Sequence, residues 1–335
     1  MKKRLFASIV IFLWFLPVVA GAATIPSLLS VIDFRGKQIT LKKPALHIVC
    51  LIESALSGLY MLGQEHRLVG VSRNVYQGDV FKYYAAMDRR IRDKSLPTPG
   101  NWDFVNIESV VALKPDLVII WADQTESIAS LEERGIPVYG VFLKQKEDVY
   151  KEMTDLGLLT GSLKRAEELI DYTRNEIKRF QDRVSSIPET KRQRIYYMWA
   201  QSNLDTSCGG SAVNDLIHLA GGRNVCGGIS SEHLVVNMER IIGWNPDLVV
   251  MWHNEKKDPA DIIGDPQWIN IPAITSRRVH ELPEIFLCDL WTLKFHYAVK
   301  MVAKWAYPDF FRDVDLEKEK KKMLGKLYGK RLTRD

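Results

Sequence analysis

Cysteine is scarce in this chain of 335 residues, which holds four, at Cys50, Cys208, Cys226 and Cys288. Four are too few for a disulfide-held scaffold, and no CxxC or Cys/His spacing marks a zinc site. The signature loops of common enzymes are missing as well. There is no P-loop, no G-x-G-x-x-G, no H-E-x-x-H and no G-x-S-x-G, which removes the nucleotide, zinc-protease and serine-hydrolase patterns. Cys208-Gly209-Gly210-Ser211 resembles a nucleophile turn, but no His and acid are tied to it by spacing. Glycines ahead of a helix have an ordinary structural use, so an enzyme is not expected. Low-complexity segments are absent, and beyond the N-terminus no run is apolar enough to cross a bilayer.

The first 22 residues are different. Lys2, Lys3 and Arg4 precede an apolar stretch from Leu5 to Val19, and Ala20-Gly21-Ala22 offers a small-residue cleavage site. This is the pattern of a secretory signal, so residues 1–22 are expected to be removed on export. The alternative is an uncleaved anchor, but the run is short for a span and contains Pro17. No Cys follows the cleavage site, which argues against a lipid anchor. Removing the three basic residues takes the net charge from +5 to +2. The tail from Glu317 to Asp335 carries eight Lys/Arg against three Asp/Glu, which leaves the body near −3. No nucleic-acid footprint remains, and the basic tail reads as a solvated helix face with a frayed end. An oxidising compartment permits a Cys208–Cys226 bond closing a loop around one helix; buried free thiols are the alternative.

Strand and helix alternate. HIVCLI (47–52), RLVGVS (67–72) and IPVYGVF (136–142) read as strands of a first lobe, and RIYYMWA (194–200) and RVHELP (278–283) as strands of a second. Such alternation predicts an α/β fold of two lobes, each a mostly parallel sheet flanked by helices. No flexible linker separates them. Residues 147–160 and 163–186 read as helices broken at Gly161-Ser162, with Ser162 as N-cap and an apolar stripe of Leu169, Ile170, Ile177, Phe180 and Val184. The expected division is 23–146 for the N-terminal lobe, 147–188 for a helical bridge dominated by one long helix, and 189–335 for the C-terminal lobe and its basic tail.

One unit occurs twice. NIESVVALKPDLVIIW (106–121) returns 131 residues later as NMERIIGWNPDLVVMW (237–252), with seven of sixteen positions identical. Asn106 and Asn237 suit helix N-caps, and Glu108 and Glu239 suit the positive end of the helix dipole. Pro115 and Pro246 end the helix, and a buried strand follows. Trp121 and Trp252 stand at the carboxyl ends of those strands, the edge where open α/β sheets bind ligands. Core packing is the alternative role for each Trp, as helix capping is for each Glu.

The run W-x3-N-x-E-x2-V-A-L-K-P-D-L-V-I-x-W, Trp102 to Trp121, resembles the periplasmic substrate-binding proteins of ABC importers for iron chelates, haem and cobalamin, and is nearest in pattern to the cobalamin binders. The resemblance covers the whole exported chain. It implies two lobes joined by a long helix, a periplasmic and monomeric protein, no intrinsic cofactor, and a metal-bearing ligand such as a ferric siderophore, haem or corrinoid. Its partner would be an inner-membrane permease and ATPase, docked through a Glu on each lobe; the matching positions are Glu108 and Glu239. Cobalamin binders of the family also carry a Trp six residues before each docking Glu. Trp102 retains the first, whereas His233 replaces the second and offers a metal ligand or hydrogen bond instead of a stacking ring. A molybdate or tungstate oxyanion on the same fold is the alternative ligand.

The other cleft candidates come from loops after strands: Glu53, Arg73 and Tyr76, Gln201 and Asn203, His253 and Trp291. Aromatic walls with a few polar groups suit a large, flat ligand. Tyr83 and Tyr84 rank lower as phenolate donors to iron, because their spacing is no motif.

Overall fold

Two four-stranded parallel sheets carry the fold, and both follow the same strand order. The computed structural model describes residues 28–333; the expected signal at 1–22 lies outside them. Across the first sheet the strands are Leu68–Val71, Ile48–Cys50, Leu117–Trp121 and Val138–Val141. Across the second they are Arg223–Asn224, Arg194–Met198, Leu248–Met251 and Val279–Glu281. Each sheet therefore reads second, first, third, fourth in chain order. Val138–Val141 and Leu248–Met251 are buried along their whole length, as expected where helices cover both faces.

The repeated unit has a structural reason. The Asn106 side chain accepts from the Ser109 amide at 2.9 Å, and the Asn237 side chain from the Arg240 amide at 3.0 Å. Each cap starts a short helix, Ile107–Ala112 and Met238–Trp244. Lys114 (φ 48°) and Asn245 (φ 52°) then enter the left-handed region ahead of each proline. The repeated Asp fastens the third strand to the first. The Asp116 carboxylate accepts from the Leu46 and His47 amides at 2.8 and 2.9 Å. The Asp247 carboxylate accepts from the Arg194 amide at 2.8 Å and from its guanidinium at 2.7 Å. These bonds at the sheet edge tie the start of the third strand to that of the first in both lobes.

Between the sheets run the helices Lys146–Thr160 and Leu163–Val184, separated by Gly161 at φ 70°. The predicted stripe of the longer helix is buried, and at 1.5 Å per residue that helix is roughly 33 Å long. Ser162 differs from expectation: its hydroxyl pairs with that of Thr160 at 2.7 Å and makes no cap bond. One core cluster continues from the first sheet through this bridge into the second.

The basic tail is a helix with a solvated basic side, as expected, but its other side is part of the core. Helix Leu316–Tyr328 buries Met323, Leu324, Leu327 and Tyr328 and packs on helix Glu53–Met61 of the N-terminal lobe. Lys318, Lys321, Lys322 and Lys326 are exposed, so the charge run concealed an amphipathic helix. The fully buried Lys300, on helix Phe295–Ala306, donates to Glu176 of the long helix and to Glu319 of the terminal helix at 2.6 Å. Three helices are thereby tied at one point. Cys208 and Cys226 form a disulfide around helix Ala212–Leu219. Closing a loop of 18 residues contributes about 3 kcal/mol on the chain-entropy model. Cys50 and Cys288 are buried free thiols.

Candidate functional site

In sheets of this order the chain leaves the first and third strands in opposite directions, which opens a crevice beyond their carboxyl ends. Here the two crevices face each other and form one cleft of about 770 Å³. The first strand of the N-terminal lobe delivers Ile52 and Glu53, and the third delivers Trp121. In the C-terminal lobe the first strand delivers Trp199 and Gln201, and the third Trp252. Trp102 and His233, equivalent through the internal repeat, stand on opposite rims, and Trp291 enters from the loop before helix Phe295–Ala306.

Three tryptophans of the C-terminal wall pack as one body. The Trp199 and Trp291 rings are nearly parallel at 6.2 Å, and Trp252 lies 5.4 Å from Trp199 and 6.1 Å from Trp291. Trp199 is held by its indole N–H, which donates to the Ser207 hydroxyl at 2.8 Å. The His233 ring lies 5.4 Å from that of Trp199, and its Nδ1 is 3.9 Å from an Asp205 carboxylate oxygen. Across the cleft, Trp121 leans on Phe142 at 5.0 Å, and the Gln124 amide donates to the Trp102 carbonyl at 2.9 Å. Trp102 itself is 52% exposed, so its ring is free to meet a ligand.

The floor is acidic. Burial pushes the Glu53 carboxyl above its ordinary range although the Ser72 hydroxyl donates to it at 2.9 Å. Burial likewise raises Asp289, opposed by the charge of Lys294, whose own value burial lowers to about 8. Beneath them the buried Glu152 accepts from the Ser54 hydroxyl at 3.0 Å, and burial raises its carboxyl to about 8. The lining includes Glu53, Asp79, Glu255 and Asp289 and no Lys or Arg.

The structure brings Trp102, Trp121, His233, Trp252, Trp291, Glu53 and Gln201 together. Other expected residues sit elsewhere. Arg73 is exposed but outside the lining. Tyr76 turns inward and donates to the Leu96 carbonyl at 3.0 Å. Their loop contributes Asn74 and Gln77 instead, because Arg73–Tyr76 winds as a 3-10 turn. His253 Nδ1 lies 3.3 Å from Glu281 and does not line the cleft, nor does Asn203, whose carbonyl accepts from Tyr196 at 2.8 Å. Tyr83 donates to Glu284, and Tyr84 is buried beside Tyr60 and Phe286, so neither faces the cleft.

Sequence reasoning missed Trp199. It was legible: strand RIYYM ends one residue before it, the position that singled out Trp252. Asp289 and Ile285 carry no sequence signal. No group of three or more His, Cys, Asp or Glu side chains suited to a metal ion occurs among the described residues.

Away from the cleft, Glu108 and Glu239 are exposed in the first turns of their helices, with no ion-pair partner among the described residues. Large exposed apolar residues flank both at the repeat offset. Phe104 matches Val235, and Val111 matches Ile242.

Among known proteins, the chain is similar to the molybdate-binding protein MolA of Haemophilus influenzae, at 26% identity over 311 residues, covering 85% of this chain and 87% of that protein. The structure of MolA bound to molybdate superposes with a TM-score of 0.77 at 24% identity, covering 89% of this chain and 97% of that one. It is also similar to YvrC of Bacillus subtilis, described as an uncharacterized ABC transporter substrate-binding lipoprotein, at 24% identity over 84% of this chain and 86% of the relative. A vitamin B12-binding protein of Vibrio parahaemolyticus is 21% identical over 72% of this chain and 82% of its own. A family model described as periplasmic binding protein matches residues 48–285. That match spans well over half of the chain, and the protein belongs to the periplasmic binding protein family, a family of solute binders and not of enzymes.

Proposed function

We propose that this protein captures a large metal chelate between its lobes and delivers it to the inner-membrane permease of an ABC importer. The supporting observation is the cleft itself, about 770 Å³ and walled by five tryptophans. That volume is in the range of sites that enclose drug-sized ligands. A planar macrocycle or siderophore complex would cover the indole faces of Trp199, Trp252 and Trp291, whereas a four-oxygen anion would touch few of them. Ferric siderophores, haem and corrinoids all satisfy the size. His233 gives a metal-bearing ligand one imidazole to coordinate.

Delivery rests on the twin handles. A partner with two-fold symmetry presents the same surface twice, and a pseudo-symmetric protein meets it with a matched patch on each lobe. Glu108 and Glu239, each beside an apolar pair, have that arrangement. Basic residues of the permease would complement them.

Molybdate or tungstate is the second reading, favoured by the similarity to MolA. Oxyanion sites are built from Arg, Lys and backbone N–H donors, and the cleft lining offers no Lys or Arg.

One titration separates the readings. Tryptophan fluorescence of the protein lacking residues 1–22 is followed against cobinamide, cyanocobalamin, haemin, ferric siderophores and molybdate, with correction for ligand absorbance. Saturable quenching by a metal chelate is expected. A response to molybdate alone would overturn the proposal.

A further inference from the structure

The charge of the lining narrows the ligand further, an inference that rests on the metal-chelate reading. Four carboxylates reach the cleft, at Glu53, Asp79, Glu255 and Asp289, and His233 is the one lining side chain able to become positive. Two of the four are already compensated. Lys294 sits below Asp289, and Asp79 accepts the Phe286 amide at 2.9 Å. Glu53 and Glu255 have no ion-pair partner among the described residues, although Lys256 and Lys257 follow Glu255 in its exposed loop. Glu53 is anchored only by neutral groups, accepting from the Ser72 hydroxyl at 2.9 Å.

The aromatic wall has the same preference. Indole faces carry negative quadrupole potential and attract cations, the more so when solvent is excluded. The Trp199–Trp252–Trp291 body and the Glu53 carboxylate therefore act on a ligand in the same direction. An anion entering this cleft would lose its hydration and meet no lining Lys or Arg in return.

We propose that the cleft selects a metal chelate of net positive charge, its flat body against Trp199, Trp252 and Trp291 and its cationic centre toward Glu53, and rejects anionic chelates and oxyanions. The charge balance of the wall, and not its shape alone, sets which chelate is carried.

Cobinamide provides the probe, because its axial ligands change its charge while its corrin body stays the same. The aquacyano form is singly positive and the dicyano form, held by excess cyanide, is neutral. Affinities of both are measured by tryptophan quenching for the wild type, His233→Ala, Glu53→Gln and Glu255→Gln. The wild type is expected to bind the aquacyano form at least about tenfold more tightly, the scale of one charge contact at intermediate dielectric. His233→Ala should retain that preference, which separates charge from coordination. Glu53→Gln should reduce it to about twofold; its amide oxygen still accepts from Ser72, and circular dichroism checks that the fold is kept. Glu255→Gln should reduce it less, since Glu255 lies at the margin.

Equal affinity for the two forms overturns the inference, as does a preference that vanishes in His233→Ala. Tight binding of a trianionic ferric tricatecholate overturns it too, while leaving the metal-chelate reading intact. Saturable binding of molybdate with neither cobinamide bound overturns both.

Discussion

The hydroxyls of Tyr328 and Ser57 lie 2.6 Å apart, although 271 residues separate them in sequence. This contact fastens the last helix of the chain to the first helix of the N-terminal lobe. The Arg331 guanidinium reinforces it, donating to the Tyr60 carbonyl at 3.0 Å. Tyr328→Phe is expected to cost about 1 kcal/mol, the net worth of one hydrogen bond. Leu327→Ala, at a fully buried position, should cost about 2–5 kcal/mol. Urea denaturation measures both. If Leu327→Ala left the midpoint unchanged, the terminal helix would not be part of the folded core.

Trp199 should matter more to binding than any residue of the Arg73 loop. Its ring contacts both other tryptophans of the wall, so Trp199→Ala removes a surface and loosens its neighbours. A loss of at least about tenfold in ligand affinity is expected, in the range of an aromatic hot spot. Arg73→Ala should change affinity by less than about twofold. Calorimetric titration with the ligand found in the quenching experiment makes the comparison, and the reverse ranking would refute the wall as described.

The apolar flanks of the two handles invite a separate experiment. Val111→Asp with Ile242→Asp changes two partly exposed positions on opposite lobes, each in the last turn of its helix, so a folding cost of about 1 kcal/mol per site is expected and circular dichroism checks that the fold is kept. Ligand affinity is expected to stay the same while uptake by cells falls at least severalfold. Glu108→Lys with Glu239→Lys should abolish uptake, again with affinity retained. Normal uptake in both double variants would remove this surface from the docking model.

The contribution of Glu152 to stability should fall as pH rises through neutrality. Its folded carboxyl is raised by burial from 4.5 to about 8. Between those values the folded chain keeps a proton that the unfolded chain has released, so each step up in pH favours unfolding. The loss begins above the unfolded value and is complete above about pH 8. Glu152→Gln keeps an acceptor for Ser54 and carries no charge. The midpoint of wild type minus that of Glu152→Gln should fall steadily between pH 5 and 8, a difference in which His280 and His296, common to both proteins, cancel, and parallel curves for the two proteins would count against the assignment.

Much of this was legible in sequence because the repeat carries its own physics. Asn106 and Asn237 cap through residues three positions on, a spacing the chain itself fixes, whereas Asp116 and Asp247 reach residues far away in sequence and only the fold reveals their role. The strands were readable because parallel strands buried on both faces leave short apolar runs. Cleft residues were legible where a strand end points at the site, as for Trp121 and Trp252, and illegible where a turn decides. Arg73 and Asn74 are neighbours, and only the 3-10 winding of their loop turns Asn74 inward. Ser162 occupied a cap position in sequence, yet Thr160 two residues earlier captured its hydroxyl. The terminal helix was obscured by its lysines. Their count gave the charge of one face and said nothing of Met323, Leu324, Leu327 and Tyr328 on the other.

The terminal helix returns to the N-terminal lobe at Ser57 and Glu65, so the lobes are held together beyond the helical bridge, also through Tyr83 on Glu284 and Asp79 on the Phe286 amide. Severing the chain once in the exposed loop around Lys256 and Lys257 would then yield fragments that stay associated. A second consequence concerns geometry. If Glu108 and Glu239 dock a partner as proposed, these cross-lobe contacts would hold the span between them like a calibrated ruler, nearly indifferent to cargo. A partner gripping both ends would learn of occupancy from the rim at Trp102 and His233, where the cargo meets the surface, and not from any change in the length of the ruler.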